Sequence, residues 1–147
     1  MKHFFILLLF LGIGTSATGQ RMQQERIKAL RTGFFTEKLN LTQAEAEKFW
    51  PIYNAYDDEL SALKKEERTE IFQVFRRGLD DLSDNEANAL IDKMTDIRTR
   101  EFNLHKQLIE DLRKVPSPKK IIMLRRAEEE FKRTLLERFR QHKGQKN

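Results

Sequence analysis

Cysteine is absent from the 147-residue chain, which excludes disulfides, thiol redox chemistry, a cysteine nucleophile and a lipid anchor carried on cysteine. Proline and glycine are scarce, three and six residues respectively, and they cluster at the joints between apolar-periodic stretches. No glycine-rich phosphate loop is present. Long hydrophobic runs are missing too. The run "FFILLLFLGI", Phe4 to Ile13, falls well short of the ~20 apolar residues that a spanning helix needs. No stretch alternates apolar and polar residues in the manner of a strand.

What the chain does have begins with a leader. Lys2 supplies a positive start, the short apolar run follows, and Ala17 and Gly19 occupy the small-residue positions before Gln20. This is the pattern of a secretory signal peptide over residues 1–19. Removal leaves residues 20–147, expected to form one helical domain with a polar C-terminal tail. An exported domain without disulfides depends on packing alone, or on a partner.

Charge is uneven. Residues 20–40 carry a net +3, residues 41–115 a net −5 and residues 116–147 a net +6. Basic ends around an acidic middle attract within one chain or between antiparallel chains, although salt screens such long-range attraction. No nucleic-acid recognition motif accompanies the high pI, so nucleic acid is not an expected partner.

Apolar spacing predicts helices throughout. Ile27, Leu30, Phe34 and Leu41 recur at helical intervals and imply a helix from about Met22 to Lys38. Thr42 and Glu45 then form a capping box: the hydroxyl accepts from the Glu45 amide, and the carboxylate reaches back to the Thr42 amide. Phe49, Tyr53, Tyr56, Leu60 and Leu63 follow at spacings of four and three, and Ile71, Val74 and Phe75 extend the stripe across the charged run "KKEERTE" to a stop at Gly78. Ser83 and Glu86 make a second capping box, ahead of Leu90, Met94, Ile97, Leu104, Leu108 and Leu112. "VPSP" ends that helix, with Ser117 as the next N-cap and Pro118 at the first helical position. The last helix carries Ile121, Leu124, Ala127, Phe131, Leu135 and Phe139. The expected fold class is all-α, a hairpin of about four helices.

A helix from Gln43 to Arg77 is ~50 Å long, whereas a compact 128-residue sphere is ~36 Å across. Elongated helices and a partly uncovered face follow from that mismatch. Pro51 lies inside the first long stripe, where proline removes a backbone bond and kinks a helix.

"LTQAEAEKFWPIYNAYDDEL" from Leu41, with the weaker "LSDNEA" from Leu82, resembles the LTxxQ-motif family of Spy/CpxP-like periplasmic proteins. The closing "VPSPKKIIMLRRAEEEFKRTLLERFR" is similar to members labelled sensors of extracytoplasmic-function sigma factors. Glu45 and Glu86 stand where the family phrase has glutamine, and either residue closes a capping box. The repeated phrase therefore marks two helix starts. The resemblance implies a periplasmic protein, an antiparallel homodimer with a cradle-like bend near Pro51, and a role in envelope stress. That role is either ATP-independent chaperone binding of unfolded clients, or sensing and adapting for a membrane-bound regulatory partner.

Enzyme chemistry has little support in the sequence. His105 and His142 are the histidines beyond the leader, and no histidine pair one turn apart offers a metal site of the kind that a heavy-metal sensor needs. Met94 sits on the apolar stripe and reads as core filling. No cofactor or resident metal is expected, and the protein is not expected to be an enzyme. Binding remains, and the candidate client or partner contacts are Phe34, Phe35, Trp50 and Phe72. Tyr53 and Phe75 are expected in a dimer core. Phe34 and Phe35 point ~100° apart on a helix, so one interface is not expected to bury both.

Overall fold

A computed structural model of the protein describes residues 15–144. Residues 1–14, most of the expected leader, lie outside the described residues. Every described element is helical: α1 (Thr15–Lys38), α2 (Gln43–Glu67), a π-helical turn (Arg68–Phe72), α3 (Gln73–Arg77), α4 (Asp84–Leu112) and α5 (Pro118–Gly144). The fold is an all-α helical hairpin arrangement. Among the described residues no helix is long and apolar enough to cross a membrane.

Helix boundaries follow local chemistry. Thr42 Oγ1 accepts from the Glu45 amide at 3.2 Å while the Thr42 amide donates to Glu45 Oε2 at 2.8 Å. Ser83 and Glu86 repeat the exchange at 3.3 and 3.0 Å. Each box satisfies amide donors that a helix start otherwise leaves unpaired. The Ser83 hydroxyl and amide hold the Glu86 carboxyl below its ordinary value. Glu45 is also lowered, first by the Lys120 ammonium and then by the Thr42 amide, so this box ties the start of α2 to the start of α5. Asn40 ends α1 at φ 47°, and Gly78 ends α3 at φ 102°, a conformation that a β-carbon disfavours. Pro118 opens α5 over Ser117, as expected.

Two boundaries differ from the expected ones. α1 starts before Met22, at Thr15, and α5 runs into the polar tail as far as Gly144. α2 begins at its capping box and continues through Pro51, so the proline lies within the helix rather than ahead of it.

The chain divides into two compact units. In residues 41–122, α2 and α4 pack antiparallel. Leu63, Ile71 and Ile97 form a buried cluster with Leu90 against it. Eight residues beyond Leu63, a regular α-helix would have turned Ile71 about 80° off that face. The wider π turn between them counters this drift and keeps Ile71 buried. Thr69 fits the turn by donating its hydroxyl to the carbonyls of Lys65 and Glu66, both at 3.1 Å.

Ion pairs close the middle of the same hairpin. Arg100 donates through both terminal nitrogens to Glu66, each at 2.9 Å, and Lys93 bridges Glu66 and Glu70 at 2.6 and 2.8 Å. Buried Glu67 meets Lys64 and Arg98, both at 3.2 Å, and the same two cations hold Glu101. The Arg100 and Lys93 bonds pull the Glu66 carboxyl down to about 2. Burial alone pushes the Lys64 ammonium down, but its bonds to Glu101 and Glu67 outweigh that and hold it above its ordinary value. The charged run "KKEERTE" is one side of this clamp.

In the other unit, α1 and the C-terminal part of α5 form an antiparallel pair. Phe34 and Phe35 both meet Phe131, at centroid distances of 5.6 and 5.8 Å, and Lys38 pairs with Glu130 at 2.8 Å. Leu39, Leu124 and Ala127 are buried in this unit as well.

Candidate functional site

A contact surface of the expected kind is to be sought in apolar side chains that the fold leaves in water. The four expected contact residues separate on that criterion. Phe35 is 1% exposed and packs edge-on to Phe131. It is a core residue of the single chain, which corrects its assignment as a contact. The reason is its partner: Phe131, distant in sequence, fills the angle between the two adjacent phenylalanines. Phe34 is half-buried against the same ring, with the Lys38 ammonium 5.3 Å from its centroid. Trp50 is half-buried, edge-on to Phe49 at 5.0 Å and to Tyr53 at 6.0 Å. Phe72 alone of the four stands largely in water, 51% exposed.

Phe72 closes the π turn and meets Phe75 edge-on at 6.3 Å. Phe75 and Leu79 are exposed beside it, and Arg68, Arg76 and Arg77 are exposed on the same segment. This end of the hairpin therefore presents three apolar groups among cations, followed past Gly78 by Asp80 and Asp81. The local sequence explains it. Ile71 takes the buried position within the wider turn, which leaves Phe72 outside.

A second exposed apolar row runs along α4. Ile91, Met94 and Phe102 are exposed, and Met94, Arg98 and Phe102 line a shallow depression with Thr95 and Thr99. Phe102 is 67% exposed and lies about 140° around the helix from buried Ile97. Met94, expected as core filling, is on this outer face at 39% exposure. Sequence reasoning passed over Ile91 and Phe102. The available signal was that both are large apolar residues off the stripe that packs α4 against α2.

Tyr53 is buried within the single chain, stacked on Phe49 at 5.6 Å with planes 10° apart, so its place is the hairpin core and not a dimer interface. Tyr56 is half-buried and meets the His105 ring at 6.2 Å, which gives that histidine a packing role. Among the described residues, no group of three His, Asp or Glu side chains is arranged to hold a metal ion. The capping-box residues Leu41, Thr42, Glu45, Leu82, Ser83 and Glu86 sit at the two helix starts, and their hydrogen bonds are structural.

Comparison of the chain with known protein families, curated proteins and solved structures gives no match.

Proposed function

We propose that the protein is an exported, ATP-independent binding protein that holds apolar segments of unfolded chains in the periplasm and thereby protects the envelope under stress. The observation that carries this reading is the set of exposed apolar side chains, Phe72, Phe75, Ile91 and Phe102, on helices whose opposite faces are already packed. Covering one such ring on a client gains about 2 kcal/mol, so a few together support reversible capture. Exposed Arg76 and Arg77 beside Phe72 and Phe75 offer local donors to acidic groups of a client, on a hairpin that is net negative over residues 41–115. The leader pattern and the resemblance of the two capping phrases to Spy/CpxP-like proteins support the compartment and the class of activity. A homodimer belongs to the same proposal, since a second copy covers part of the exposed surface when clients are scarce.

One feature favours a second reading, that of a sensor or adaptor for a single membrane-bound partner in a stress or sigma-factor circuit. Phe72, Phe75 and Leu79 are concentrated at a π turn, a geometry that recurs at functional sites. Such a focused patch suits one defined partner.

The test is suppression of aggregation of unrelated clients without nucleotide, measured beside thermal melting for the wild type, Phe72→Ala/Phe75→Ala and Phe102→Ala. The holding role predicts protection by the wild type and weaker protection by at least one variant at unchanged melting temperature. Failure of the wild type to protect any client replaces it with the regulator, and its partner is then sought by crosslinking in the envelope.

A further inference from the structure

We infer that the cleft between α1 and the C-terminal part of α5 binds single-chain amphipathic anions, an apolar chain ending in a carboxylate or phosphate. With Gly19 of the expected leader at its outer end, the cleft has a volume of about 480 Å³, within the range of small-molecule sites, and Arg26, Leu30, Leu135, Arg138 and Phe139 all belong to the exported chain. Leu30, Leu135 and Phe139 give it apolar walls, and Leu30 and Phe139 remain substantially exposed, so the helix pair leaves them unburied.

Charge selects the occupant. Arg26 and Arg138 line the cleft, and no Asp or Glu does. Among the described residues neither arginine makes an ion pair, in contrast to Lys38 and Arg126, which share Glu130, and to Arg125, which pairs with Glu129. Two guanidinium groups without a carboxylate partner offer forked donors that match a carboxylate or phosphate head.

The register orders the two chemistries along the cleft. Phe34 against Phe131 and Lys38 against Glu130 fix the antiparallel pairing. Continued toward the start of α1, that register places Leu30 level with Leu135, and then Arg26 level with Arg138 and Phe139. One turn beyond Leu30 in the other direction, the Phe34–Phe131 contact occupies the space between the helices. An apolar tail thus lies toward the aromatic cluster and an anionic head toward the arginines. A cleft that stops at a packed cluster suits a short single chain better than a polypeptide that must pass through.

The residues of this site are not those of the holding surface, so the two proposals fail independently. Calorimetric titration of the folded exported chain with laurate, dodecyl phosphate and dodecylamine, each below its micelle concentration, tests it. Saturable one-to-one binding of both anions is expected, with none of the amine. Arg26→Gln/Arg138→Gln should weaken laurate about tenfold, as loss of charge-assisted hydrogen bonds does, with melting temperature and client protection unchanged. Equal binding of the amine identifies unselective surfactant adsorption and overturns the site. So does laurate binding that the double variant leaves intact, or binding of an acidic apolar peptide by a protein that takes no laurate.

Discussion

Between α1 and α5 the helices are closed by three phenylalanine rings, with the Lys38–Glu130 ion pair beside them. Between α2 with its π turn and α4, they are closed by crossed ion pairs, Glu66, Glu67 and Glu70 against Lys93, Arg98 and Arg100, with Lys64 against Glu101 in the opposite sense, around a small apolar cluster. The difference teaches what each kind of contact contributes. Ring packing gives stability with little dependence on conditions. Exposed ion pairs give little net stability, but they discriminate between registers: a one-turn slip of the hairpin would bring Lys64 level with Arg98 instead of Glu101. The charged closure therefore specifies the pairing of two long helices whose apolar seam is thin.

Truncation of the aromatic closure should have the largest effect. Phe35→Ala is expected to cost ~3–5 kcal/mol, as buried phenylalanine does, in chemical denaturation, with the earliest loss of amide protection in α1 and α5. A Phe35→Ala protein as stable as the wild type would remove the aromatic half of the comparison. In the charged closure, Glu67→Ala removes a buried carboxylate from Lys64 and Arg98, which keep Glu101 and are largely exposed, and should cost about 1 kcal/mol or less. Its effect should appear as faster hydrogen exchange in α2 and α4, with α1 unchanged.

Acid should separate the two closures further. The Glu66 carboxyl lies at about 2 in the folded protein, below its ordinary value of 4.5. A lowered carboxylate stabilises the fold fully above its unfolded value, and the contribution is lost as pH falls through the folded one. Stability should thus be flat from pH 7 to about 5 and decline between about 4.5 and 2. Glu45, Glu86 and Glu101 shift in the same direction within residues 41–122, against Glu130 in the other unit. Hydrogen exchange across an acid titration should accordingly rise first in the α2–α4 hairpin. A simultaneous rise in α1 would mean that the ion pairs do not distinguish the units.

How legible these features were in the sequence depended on their range. Thr42 with Glu45, Ser83 with Glu86, Gly78 and Pro118 were readable because a cap or a stop is decided within a few residues. The all-α class followed from apolar spacing for the same reason. Phe35 was not readable as core, since its burial is decided by Phe131, and neighbouring Phe34 carries the same local signal. The ion-pair clamp was equally hidden. "KKEERTE" looks solvated until the hairpin register sets it against Lys93, Arg98, Arg100 and Glu101. The π turn that leaves Phe72 in water likewise answers a demand from α4, that Ile71 remain on the buried face.

The central claim is that clients meet the side chains that packing leaves outside, and a photo-crosslinking residue tests it site by site. Benzoylphenylalanine is placed at position 72, at 102 or at 35, and each protein is illuminated with an unfolding client and no nucleotide. The account predicts client adducts from positions 72 and 102 and background alone from position 35. Adducts from position 35 at the level of position 72, or none from either exposed site while the wild type still protects the client, would contradict it.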